Sequence, residues 1–173
     1  MRYLLLAFCL AAWSAPSLSA SIDRVDVTAY GLASGSQGVR EGTSSNGIEH
    51  WRTDDIKVVA ATTRIPACLG IRFGIVFSTV GAFDGTPVTI RQIYRFPRSG
   101  LHRPGLSSPI YDSYFDRGLT PGMTYGLWYQ FDHPWEIVPG DWTFEVRDGD
   151  RVLASKTFAV VAPKPAECQG LSV

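Results

Sequence analysis

Three carboxylates fall close together in the C-terminal half of the chain: Asp132, Glu136 and Asp141, the first two bracketing Pro134-Trp135. Two carboxylates at a suitable separation perform general acid/base work on glycosidic bonds. The same short segment also leads a turn into an alternating run, so structural uses compete. Glu136 has two of them, an ion pair with Arg72 or hydrogen bonds from backbone amides. Aromatic residues are numerous: Trp51, Tyr111, Tyr114, Phe115, Trp128, Tyr129 and Trp135. Most are expected in the core. Where such residues form an exposed patch beside a sheet, they grip sugars or partner proteins. The candidate binding residues are therefore Trp135, Glu136, Asp132, Tyr129 and Trp51, and no residue is assigned a catalytic role.

Other chemistries find little support. Metal sites need His, Cys or carboxylates at ligand spacing, whereas His50, His102 and His133 are scattered and form no HxH or HExxH pattern. They read as solvated loop histidines, and no metal is expected. No GxSxG elbow is present. Ser44 and Ser45 lie in a polar stretch without a local base, and Gly31, Gly35 and Gly38 precede no helix that would cradle a phosphate. Arg95, Arg98, His102 and Arg103 surround an irregular segment over 97–109, which reads first as a solvated loop and secondarily as a contact for an anionic group. No cofactor is implied.

Composition narrows the setting. Met1, Arg2 and Tyr3 form a short positive start, Leu4 to Trp13 is uncharged and apolar, and Leu18-Ser19-Ala20 supplies small residues. This is the layout of a secretory signal, with cleavage expected after Ala20. The apolar run is too short to span a bilayer, which takes about 20 residues. Cys9 is not expected to carry lipid, because bulky Phe8 precedes it. Residues 21–173 then amount to one domain, 21–162, with a C-terminal tail over 163–173, and carry 15 basic and 16 acidic residues. A net charge near zero provides no field for nucleic acid or for a membrane surface. The one asparagine, Asn46, is followed by Gly47 and Ile48, so no glycosylation sequon exists.

Cys68 and Cys168 survive maturation. In an oxidising compartment paired cysteines tend to bridge, and two cysteines allow one intramolecular pairing. Two free thiols or an intermolecular link are the alternatives.

The elements that must position these residues are strands. Val25, Val27 and Ala29 alternate with polar positions, as do Ile71, Phe73, Ile75 and Phe77, then Val88, Ile90, Gln92 and Tyr94. A period of two marks a strand with one buried face. Ile56 to Thr63 and Ile110 to Phe115 read as further strands. Ala33 to Glu49, rich in Gly and Ser, reads as a loop. Pro121-Gly122 leads into Tyr125, Leu127, Tyr129 and Phe131. Pro139-Gly140 leads into Trp142, Phe144 and Val146. Asp148-Gly149 is a hairpin signal, and Val152, Ala154, Phe158 and Val160 return. About eight short strands with regular turns predict an all-β sandwich or barrel, and the form of the final hairpin favours an immunoglobulin-like antiparallel β-sandwich. The strand of Trp142 has no cysteine, so the inter-sheet bridge of antibody domains is not expected.

The run Phe131-Asp132-His133-Pro134-Trp135-Glu136-Ile137-Val138-Pro139-Gly140-Asp141-Trp142-Thr143-Phe144-Glu145-Val146 resembles the signature of a bacterial family known as domain of unknown function number 3859. Arg64-Ile65-Pro66-Ala67, Leu69 to Gly74 and the opening Val25 to Gly31 share the resemblance, which spans about residues 22 to 161. It implies a compact exported or periplasmic β domain and no particular activity, so no catalytic residue carries over. It also implies that Cys68 and Cys168 are additions in this member.

Together these features predict a periplasmic or secreted, non-enzymatic module that binds an unknown protein or saccharide through loops and aromatics on a rigid scaffold. The alternatives are a carbohydrate-binding module or small glycan hydrolase using Asp132 and Glu136, and a structural envelope protein that presents its edge strands.

Overall fold

The computed structural model describes residues 19–36, 38–52, 55–164 and 167–168. The expected signal segment over 1–20 lies almost entirely outside the described residues. Eleven strands follow in order: β1 (Arg24–Ser34), β2 (Val39–Thr43), β3 (Glu49–Arg52), β4 (Lys57–Ala60), β5 (Arg64–Pro66), β6 (Arg72–Val80), β7 (Val88–Arg95), β8 (Asp112–Leu119), β9 (Thr124–Gln130), β10 (Gly140–Asp148) and β11 (Arg151–Val161). Among the described residues one 3-10 turn, Pro134–Glu136, sits between β9 and β10.

Nine strands form two sheets, β4-β1-β6-β9 and β5-β11-β10-β7-β8, and β2 and β3 pair with each other. The alternating runs explain the stacking. Phe73, Ile75 and Phe77 of β6 point inward and are fully buried, as are Trp142, Phe144 and Val146 of β10. Phe73 is central: its ring lies 5.9 Å from Trp142, 5.3 Å from Phe144 and 5.4 Å from Phe158 of the opposite sheet, and 5.3 Å from Phe131. Each such side chain contributes about 1.5–3 kcal/mol through burial. Trp142 also has its polar end satisfied, since Nε1 donates to the Val138 carbonyl at 2.9 Å. The order β11-β10-β7-β8 facing β1-β6-β9 is that of an immunoglobulin-like sandwich.

Several details differ from the sequence reading. The strand count exceeds the expected eight, and one pair is parallel, the three-residue β5 lying beside the end of β11 with Ile65 opposite Val160. The Ile56–Thr63 run yields only the short strand β4, mostly exposed at the edge of its sheet. The strand expected from Ile110 starts two residues later and runs on to Leu119.

The largest departure concerns Ala33 to Glu49. Its first residues extend β1, and most of the rest is the β2–β3 hairpin, with Arg40 opposite Trp51 and Thr43 opposite Glu49. Gly47 at its tip has φ 71°, a left-handed conformation that glycine adopts without strain. Gly and Ser signalled the turn, but no apolar alternation marked the flanking strands. The hairpin is held from outside. At its tip the Ser45 amide donates to the Tyr114 carbonyl at 2.9 Å, the Tyr114 amide donates to Ser45 Oγ at 3.2 Å, and Asn46 Nδ2 donates to the Asp112 carbonyl. It thus lies against β8, the outermost strand of the five-stranded sheet.

Cys68 and Cys168 form a disulfide, with Cα atoms 5.6 Å apart. It joins the β5–β6 connection to the segment after β11. Arg64 adds an ion pair to Glu167 at 2.8 Å there.

Candidate functional site

A cleft of about 420 Å³ runs between the β2–β3 hairpin and strand β9. That volume lies within the range of small-ligand sites, about 300–1,000 Å³. A second depression flanks the hairpin on the side of β8, lined by Ser44, Ser45, Tyr114 and Asp116. All five candidate residues, Trp51, Tyr129, Asp132, Trp135 and Glu136, border the first cleft. Their situations differ sharply.

Tyr129 and Glu136 are buried in the wall, 4% exposed each. The Tyr129 hydroxyl donates to Glu136 Oε1 at 3.0 Å. Glu136 Oε2 accepts from the amides of Asp132 and His133 at 2.7 and 2.8 Å. The carboxylate thus closes the 3-10 turn from its third position, the acidic half of a capping box. Of the two structural roles open to Glu136 in the sequence, amide capping is the one realised. Burial holds its carboxyl above the ordinary range, opposed by the hydrogen bonds it accepts. Burial likewise raises the Tyr129 hydroxyl far above its usual value, with the adjacent Glu136 adding to it. Neither side chain is exposed for recognition.

Asp132, Trp51 and Trp135 face outward. Asp132 is exposed and accepts from Gln130 Nε2 at 2.8 Å. Trp51, on β3, is 38% exposed. Trp135 is half-buried, with the His133 ring stacked 5.6 Å away and the Arg103 guanidinium 5.7 Å from its centroid.

Four further residues shape the cleft. Trp128, on β9, points to the outer face of its sheet. A Cβ on Gly126 would lie 2.0 Å from Trp128 Nε1, and one on Gly74 would lie 2.8 Å from its Cε3. The indole therefore lies flat across two glycines, one on its own strand and one directly opposite on β6. His50, on β3, turns inward and is 8% exposed, a correction to its reading as a solvated loop histidine. Its ring sits 3.8 Å from Phe115 and 5.8 Å from Tyr94. Its Nε2 is buried without a hydrogen-bond partner, and burial lowers its pKa to about 4. Arg72 is half-buried, and its Nη1 donates to the carbonyls of Gly35 and Ser36 at 2.8 and 3.4 Å. Arg103 reaches the hairpin tip, donating to the Asn46 and Gly47 carbonyls at 3.3 and 3.4 Å. The spacing Gly126-x-Trp128 was the one local signal of the indole platform. Arg103 was marked in the sequence as a possible anion contact, whereas the places of His50 and Arg72 in the cleft could not be found there, because their partners lie on distant elements.

Among the described residues no group of three or more His, Cys, Asp or Glu is placed to hold a metal ion, and no helix is long and apolar enough to cross a membrane.

The fold and cleft define an immunoglobulin-like β-sandwich with an aromatic cleft on one flank. No family model and no curated protein matches the chain. Among solved structures it is similar to an immunoglobulin-like protein from Pseudomonas aeruginosa, at 26% identity and a TM-score of 0.58, over 85% of this chain and all of that one.

Proposed function

We propose that this chain is an exported, non-catalytic ligand-binding module whose site is the cleft between the β2–β3 hairpin and β9. The observation that carries the reading is convergence: Trp51, Trp128 and Trp135, from three separate elements, border one concave space together with polar side chains, among them His50 with its unpartnered Nε2. Aromatic walls with a few placed polar groups are the usual make-up of small-ligand sites. Export through a cleaved segment at 1–20 fits the disulfide, which persists in oxidising compartments.

The non-catalytic part rests on the carboxylates. Both oxygens of Glu136 are engaged by the fold, and Asp132 is held by Gln130 at the rim. Acid/base work on a glycoside needs two carboxyl groups free to reach opposite sides of a bond. The edge-strand reading loses β8, whose flank the hairpin already covers.

The test is a glycan array probed with the protein, followed by tryptophan-fluorescence titration of any hit. Binding lost on Trp51→Ala supports the cleft. A ligand bound with undiminished affinity by both Trp51→Ala and Trp135→Ala would move the site elsewhere.

A further inference from the structure

The charges lining the cleft balance in number but are not all paired in space. Arg40 pairs with Glu49 at 3.2 Å and Arg117 with Glu41 at 3.4 Å. Glu136 is taken up by the turn. Arg72 and Arg103 remain, and among the described residues neither forms an ion pair with a carboxylate, although Asp132 and Asp55 act on Arg72 from farther away: each uses one nitrogen, on backbone carbonyls. A guanidinium carries five N–H donors in a planar fork that suits a carboxylate. Both residues therefore keep donors to offer.

Register places one of these forks beside a flat aromatic face. On the outer face of the sheet Gly74 lies opposite Trp128 and Arg72 opposite Gln130, so Arg72 is the diagonal neighbour of Trp128. Diagonal residues on one face are about 7–8 Å apart and within reach of long side chains. One face of the Trp128 indole is packed on Gly74 and Gly126, and the cleft opens on the ring. The arrangement offers a stacking platform with a cation at its side. A third group points to an absent polar partner. His50 Nε2 is buried, unpartnered and on a side chain that lines the cleft. Leaving such an atom unsatisfied costs stability.

We propose that the cleft takes an acidic saccharide, its ring stacked on Trp128, its carboxylate on Arg72 and a hydroxyl on His50 Nε2. This rests on the reading of the cleft as the ligand site. A sugar ring presents an apolar face to an indole and hydroxyls around its edge. Those hydroxyls both donate and accept, which also suits Asp132 at the rim. Arg103, over Trp135, provides a second cation for a longer chain of acidic residues.

The experiment is calorimetric and fluorescence titration of the protein with tetragalacturonic acid and hyaluronan tetrasaccharide, their methyl esters, and AMP. At least one acid is expected to bind and quench tryptophan fluorescence, with its methyl ester at least tenfold weaker. Arg72→Gln is expected to lower affinity for the acid to that of the ester and leave the ester unchanged. Trp128→Ala is expected to abolish both. Gly126→Ala, which forces the indole off its seat, should weaken both in a protein whose far-ultraviolet spectrum is unchanged. Acid and ester binding alike would remove the anionic part of the proposal. AMP binding while the saccharides do not would overturn the saccharide class, and so would no binding of any acid. None of these results touches the cleft reading, which falls only if a bound ligand ignores Trp51 and Trp135. The acid–ester comparison needs no variant, so misfolding of a mutant cannot decide it.

Discussion

The hydroxyl of Tyr129 donates to the carboxylate of Glu136 at 3.0 Å, and this pair ties the inward face of β9 to the 3-10 turn bearing Trp135. The other Glu136 oxygen gathers two backbone amides. A residue that looked like half of an acid pair is thus the keystone of a turn.

Glu136→Gln tests that role. The amide group keeps one acceptor oxygen and replaces the other with a donor, which faces donors already in place. An expected loss of about 1–3 kcal/mol follows from leaving buried N–H groups unsatisfied, read as a lower urea midpoint at unchanged slope. Wild-type stability in this variant would show that the turn does not depend on the carboxylate.

His50 makes stability depend on pH. In the fold it stays neutral down to about 4, whereas its ordinary pKa is 6.5. The unfolded chain therefore binds the proton first as pH falls. The stability that goes with the neutral form is fully present above about 6.5 and is lost between there and about 4. Its contribution at pH 5 should be about 2 kcal/mol below that at pH 7.5. His50→Phe removes the titration and the unpaired nitrogen. Chemical denaturation at both pH values should show a flatter dependence in the variant, and parallel curves would contradict the assignment.

The disulfide closes a loop of about 100 residues. Constraint of the unfolded chain by a loop of that size is worth about 4.7 kcal/mol in the chain-entropy view and typically 2–4 in practice. Cys168→Ser should lower stability by about 2–4 kcal/mol without disrupting the sandwich, because the central ring cluster around Phe73 lies within the sheets. Equal stability of the variant and the oxidised protein in guanidinium would show that the bridge is merely permitted.

What the sequence determined by itself follows from local physics. Alternation at Phe73, Ile75 and Phe77 and at Trp142, Phe144 and Val146 selects strands with one buried face, and that suffices to define an all-β fold, with the final hairpin favouring a sandwich. Asp148-Gly149 encodes the final hairpin, with Gly149 at φ 54°. With two cysteines left after the expected cleavage, one intramolecular pairing was available. Tertiary structure decided the rest. The β2–β3 hairpin has no apolar stripe of its own and is ordered by β8, 66 to 69 residues away in sequence. Whether Tyr129 and Glu136 face a ligand or each other depends on where the turn after β9 lands. Trp51 and Trp128 share a cleft because the hairpin lies across the flank of the sandwich beside β9. Contacts between distant elements set these outcomes, and no local period in the chain records them.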